Sequence, residues 1–262
     1  MNFRDALVST YCEDPCRVLP NALWKTLARL GELQTAFDIE QGVVTRLQAW
    51  DESILLVNWM KSSASCPAPG LFPAAPGMLM LHEADLRALP VDRFPARTAY
   101  FRLLHRPAGR GVTVTPPPGF SLRSAEPGRE FRQVAELIGR CYADLHPTDD
   151  EVQGWTRHPV FDPALWIWIV DDEKGLPAGL GIAEFDREVR EGSLEWIQML
   201  PGYQGRGLGK CLVRELLARL EGRADFTTVS GEVVNATHPE ALYRSCGFSG
   251  EDVWWLCRAS DD

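Results

Sequence analysis

The sequence predicts a mixed α/β protein in two parts, on three observations. Short β-branched and apolar runs alternate with helical stripes along all 262 residues. The stretch 106–120, "RPAGRGVTVTPPPGF", carries three consecutive prolines and reads as a linker or edge segment. Beyond it the order of elements becomes regular. The reading is a smaller mixed α/β domain of unknown role over 1–111 and a second domain over 112–262. The length allows one large or two modest domains with a real core.

Before the seam, "PNALWKTLARLGE" is expected as a short amphipathic helix, with Pro20 near its start and Gly31 at its end. "VVTRLQAW" and "SILLVNWM" read as strands parted by Asp51 and Glu52. The stretch 62–77 reads as a long loop. "GMLMLHEADLRALP" is ambiguous between strand and helix, and "TAYFRLLHR" reads as a strand.

After the seam, "GFSLRSA" is a short strand. "REFRQVAELIGRCYADL" sets Phe131, Val134, Leu137, Ile138 and Cys141 at helical spacing. Thr148 and Glu151 stand as a capping box before a second short helix. Three strands follow, in "ALWIWIVDD", "GLPAGLGIAEFD" and "GSLEWIQML". Next comes "MLPGYQGRGLGK", running into a helix striped by Leu208, Leu212, Leu216 and Leu220 and ended by Gly222. A strand, a short helix and a last strand close the order β-α-α-β-β-β-α-β-α-β.

Charge is uneven. Residues 112–262 hold 15 Lys and Arg against 25 Asp and Glu, a net of about −10. That argues against nucleic acid as a partner, since a phosphate backbone needs a basic face. No apolar run reaches the roughly 18 residues of a membrane span. The first 20 residues lack an unbroken apolar core, so no signal peptide is expected. The seven cysteines are an odd number at irregular spacings, and Cys12 and Cys16 make a lone CxxxC. Reduced thiols in the cytoplasm are expected, with no metal site.

Glycines at a strand-to-helix junction let backbone N–H groups converge on an anion. A Walker A loop would need glycine at 204 and a hydroxyl at 211; those positions are Gln204 and Cys211. A dinucleotide fingerprint would need glycine at 210 or 212, which are Lys210 and Leu212. The spacing present is Gln204-x-x-Gly207-x-Gly209, the (Q/R)xxGx(G/A) pattern. With "NATHPEALYRSCGF" at 235–248, similar to an N…A…LYxxxGF signature, the sequence over roughly 118–258 resembles the GNAT N-acetyltransferase superfamily. "TYCEDPCRVLPNALWK" is similar to the start of some uncharacterised two-domain bacterial members.

The resemblance implies a mostly antiparallel sheet flanked by helices, with acetyl-CoA as co-substrate and no metal. Backbone groups of Met199 and Leu200 would pair with the pantetheine arm. Gln204 opens the loop motif, and amides of Gly205, Arg206, Gly207, Leu208 and Gly209 would hold the pyrophosphate. Arg206 and Lys210 would add charge, and Asn235 would contact the pantetheine or thioester region. Tyr243 would give a proton to the departing thiolate.

Glu195 is the first candidate base, with a water chain, Glu184 or Asp186 as others. Side chains alternate along a strand. If Trp196 and Gln198 face the acceptor, Glu195 points away unless a bulge intervenes. The tryptophans at 166, 168, 196, 254 and 255 are expected mainly in the core, with one or two as candidates to line an acceptor pocket, and His238 is expected as a cap or surface residue. The acceptor expected is an amine of a small molecule or peptide, with no nucleic-acid or membrane partner; a homodimer is left open. The alternative is a non-catalytic acyl-CoA-binding regulatory module of the same fold. The first half lacks the glycine pattern and is not expected to bind CoA; it is either a degenerate second unit of the same kind or a lid.

Overall fold

The computed structural model describes residues 1–61, 77–88, 93–109, 111, 113–126, 128–142 and 144–259. Most of the expected loop at 62–77 lies outside them. Contacts divide the chain into one unit of Met1–Leu104, Ser230–Glu240 and Ser249–Asp262, and another of His105–Val229 and Ala241–Phe248. Each unit is discontinuous in sequence, whereas the sequence reading places one cut at 111. The last strand, expected in the second domain, belongs to the first unit, because its main chain pairs on both sides there.

The first unit holds α1 (Phe3–Glu13), α2 (Pro15–Val18), α3 (Leu23–Arg29), β1 (Gln34–Glu40), β2 (Val43–Trp50), β3 (Ile54–Met60), β4 (Met78–His82) and β5 (Ala96–His105). Helix α1 goes beyond the sequence expectation. Asn2 Oδ1 accepts from Asp5 N at 2.9 Å in a capping box, and Phe3, Ala6, Leu7, Thr10 and Tyr11 form one buried stripe. Strand β1 likewise goes beyond the sequence expectation. It is a mostly exposed edge, joined to β2 through Gln41 and Gly42, both at positive φ. The ambiguous stretch resolves into β4 and a 3₁₀ turn, Glu83–Ala88.

The final strand of the chain, β11 (Ser249–Arg258), lies between β4 and β5, antiparallel to each. The strand order of this unit is β1-β2-β3-β4-β11-β5, with β3 and β4 parallel. Trp254 on β11 is fully buried, and its indole N–H donates to the Cys16 carbonyl at 2.7 Å. Leu55, Leu79, Leu81, Phe94 and Cys257 form the core beside it.

The second unit holds β6 (Phe120–Ser124), α4 (Phe131–Cys141), α5 (Asp149–Trp155), β7 (Trp166–Asp171), β8 (Leu176–Asp186), β9 (Glu191–Met199), α6 (Leu208–Leu220) and the start of β10 (Phe226–Glu232), with most of α7 (Pro239–Arg244). Strands β6 to β9 run antiparallel in sequence order, and β10 adds parallel to β9. The capping box at Thr148 is present, with Glu151 N donating to Thr148 Oγ1 at 3.2 Å.

Val134, Ala135, Leu137 and Ile138 of α4 and Val152 of α5 pack against Trp166, Trp168, Leu180 and Ile182. Each large apolar side chain buried there contributes about 1.5–3 kcal/mol. Helix α6 covers the opposite face: Leu212 and Leu216 lie against Gly181, which alternates with Leu180 and Ile182. The sheet is thus clamped between α4–α5 and α6.

Candidate functional site

The site grows from an irregularity in β9. Ile182 pairs with Trp196 and Ala183 with Leu194, so Glu195 is an extra residue opposite nothing on β8. A bulge of this kind bends and twists its strand. The parallel register of β9 with β10 ends at Leu194↔Val229, while β9 runs on to Met199. The two strands part where the bulge sits.

The bulge also decides where Glu195 points. Ser193 and Glu195 share a face, and the Ser193 hydroxyl donates to Glu195 Oε1 at 2.8 Å. The extra residue then brings Trp196 and Gln198 onto that face as well. Glu195 therefore faces the α4–α5 side with Trp196, which a strict alternation would forbid. Trp196 stacks on Trp155 at 5.2 Å and 16°, and Gln198 Nε2 donates to the Tyr142 hydroxyl at 2.8 Å. Among the other candidate bases, the buried Glu184 stands 3.5 Å from His158 Nδ1. Asp186 ends β8, where its Oδ1 accepts from Glu188 N at 2.8 Å.

Main-chain groups along the parted edge are arranged differently from the expectation. Leu200 N–H donates to Ala178 O at 3.0 Å, and Leu200 O accepts from Tyr203 N at 2.8 Å. Both Leu200 groups thus have a partner within the chain, whereas the sequence reading offers them to the pantetheine arm. Antiparallel alternation then turns the main-chain groups of Ile197 and Met199 away from β8. Ile197 is the residue that sequence reasoning missed, because only the register shows it. Met199 O accepts from Gln204 Nε2 at 3.2 Å, so Gln204 folds back onto the strand.

The loop enters α6 through two left-handed glycines, Gly205 at φ 73° and Gly207 at φ 79°. A side chain at either would be strained, although space is open around both. Gly207 is the N-cap, no side chain caps the helix, and no acid lies in its first turn. The first intrahelical bond is Cys211 N to Gly207 O at 3.1 Å, so the N–H groups of Leu208, Gly209 and Lys210 precede it. A Cβ at Gly209 would meet Leu242 of α7 at 3.3 Å, which ties that helix closely to the loop.

Arg206 is exposed, its guanidinium 5.3 Å from the Tyr203 ring. Lys210 and Arg214 line a cleft of about 230 Å³ with Gly207, Cys211, Pro117 and the extended segment at 113–115. Arg214 is absent from the sequence-predicted site, although its i+4 spacing from Lys210 at a helix start carries the signal.

Tyr243 is 7% exposed, beside α6 through α7, with its ring edge-on to Phe248 at 5.9 Å. Burial pushes its phenol well above the usual tyrosine range, and Tyr142, Cys246 and Glu195 add to the shift. It therefore stays protonated at neutral pH. Asn235 belongs to the first unit; its Oδ1 accepts from Thr237 N at 2.9 Å and Thr237 Oγ1 at 2.7 Å. His238 is exposed at φ 47°. Among the described residues no three His, Cys, Asp or Glu side chains gather as a metal site, and no helix is long and apolar enough to cross a membrane.

The family model for the acetyltransferase (GNAT) family matches residues 131–248. No curated protein matches the chain in sequence. An acetyltransferase of the GNAT family from Colwellia psychrerythraea superposes with a TM-score of 0.62 at 10% identity, over 98% of this chain and 97% of that one. A tandem GNAT protein from the clavulanic acid biosynthesis pathway gives 0.56 at 15%, over 98% and 96%. A GCN5-related N-acetyltransferase from Sphaerobacter thermophilus gives 0.59 at 18%, over 69% of this chain; the chain spans 59% of its length. At these identities the structures speak for the fold.

Proposed function

Since residues 131–248 are a domain of the GNAT acetyltransferase family, we propose that the protein transfers an acetyl group from acetyl-CoA to an amine. The observation that carries this is the uncapped, glycine-built start of α6 beside the parted edge of β9. Uncapped N–H groups and the helix dipole favour an anion such as a pyrophosphate. The site fits that group: two cations line its cleft and no acid stands in the first turn. Gly205, Arg206, Gly207, Leu208, Gly209 and Lys210 would hold the pyrophosphate, with Arg214 adding charge. Ile197 and Met199 would pair with the pantetheine arm like an added strand.

Acetyl-CoA supplies the activated thioester. Glu195 takes the proton from the amine as its nitrogen bonds to the acetyl carbon. Tyr243 gives a proton to the sulfur as the carbon–sulfur bond breaks. The acceptor is an amine of a small molecule or peptide, and the cytoplasm is its setting.

The test is CoA release with a panel of amines. Tyr243→Phe should lower kcat by about 10²-fold, the lower range for a lost general acid, while acetyl-CoA binding measured by calorimetry is kept. Because the phenol is raised, wild-type kcat should hold on the alkaline side past pH 10, where an ordinary tyrosine would have ionised. Unchanged turnover in the variant would remove Tyr243 from the mechanism. Tight acetyl-CoA binding with no turnover on any amine would favour the regulatory alternative.

A further inference from the structure

We propose that the acceptor is a primary amine carried on a flat aromatic body. This rests on the acetyltransferase reading and names its substrate class. Tyr142, Trp155 and Trp196 form an aromatic ledge on the α4–α5 side of β9. Trp155 and Trp196 are stacked, and the Tyr142 ring stands edge-on to Trp196 at 6.4 Å and 82°. All three rings keep part of their surface exposed, Tyr142 by 37%. Tyr142 is held from the strand itself, through Gln198.

Position relative to the chemistry gives the ledge its meaning. Trp196 follows Glu195 directly, and the bulge aims both side chains to one face. Tyr142 and Glu195 are both electrostatic neighbours of Tyr243. A ring lying on the ledge would therefore set an attached amine beside Glu195. The charge agrees: Glu195 and the buried Glu184 face the same side, which favours a cationic ammonium over an anionic acceptor. Partly exposed aromatic rings favour a flat π-system over a flexible alkyl chain, since stacked and edge-on rings gain more than area alone.

The experiment compares 2-phenylethylamine with n-butylamine on the full chain, with acetyl-CoA saturating and its binding measured by calorimetry in the same samples. Phenylethylamine should show kcat/KM about tenfold higher, carried by KM. Trp155→Ala should erase that preference while Trp155→Phe keeps most of it. Tyr142→Ala, at an exposed ring, should halve it or more and leave the core intact. Equal or better use of butylamine, or a Trp155→Ala loss alike for both amines, overturns the substrate class. Where acetyl-CoA still binds, that failure belongs to the ledge alone; loss of acetyl-CoA binding in wild type would overturn the underlying reading instead.

Discussion

Strands β3 and β9 follow one plan. Each pairs antiparallel with the strand before it, carries one extra residue, and runs parallel to the next strand for only part of its length. In β3 the extra residue is Leu56, because Trp50 pairs with Leu55 and Ala49 with Val57. In β9 it is Glu195. Beyond Met60 the sequence continues in "KSSASCPAPGLFPAAPG", with no (Q/R)xxGx(G/A) spacing. Beyond Met199 come the glycine loop and α6. The first unit thus repeats the bulge and the parted strands but puts a buried leucine where the second puts a carboxylate. Both strands carry a bulge; the residue on it and the loop after it are what differ.

That difference can be broken at the loop. Gly207→Val forces a β-branched residue to φ 79°, at about 1–3 kcal/mol of strain, and closes the amide cradle. We expect wild type to bind one acetyl-CoA per chain by calorimetry and the variant to lose at least tenfold in affinity. Two sites in wild type, or half the binding left in the variant, would mean that the β3–β4 opening also holds the cofactor.

A smaller effect sharpens the same contrast. Lys210→Ala and Arg214→Ala should each raise the Kd for acetyl-CoA about five- to tenfold, within the range for one ordinary hydrogen bond at a solvent-open cleft. The loss should shrink as salt is added, because exposed charges are screened. A Kd indifferent to both changes would remove the cleft at 113–117 from the site.

The smallest effects concern the two capping boxes, one in each unit. Asn2→Ala and Thr148→Ala should each cost about 1 kcal/mol in chemical denaturation. Acetyl-CoA affinity should change in neither. A change confined to Thr148→Ala would couple α5 to the cofactor site.

Much of this was legible from local pattern. The strand at 43–50, the helix at 131–141 and the capping box at 148 each follow from residues within one or two turns of each other. Helix α1 is equally legible: its stripe at 3, 6, 7, 10 and 11 and its Asn2–Asp5 box are complete in the sequence. Strand β1 was less so, since an exposed edge strand shows no clean alternation.

By itself the sequence determined the glycine loop, the helix it opens and the slot of Tyr243. Left-handed glycines and a helical stripe are short-range steric facts. Only the tertiary structure decided that Glu195 shares a face with Trp196, that the Leu200 main chain bonds to Ala178 and Tyr203, and that β11 belongs with the first unit. Each depends on which residue of a distant strand lies opposite, and a shift of one residue there reverses the face of every side chain that follows.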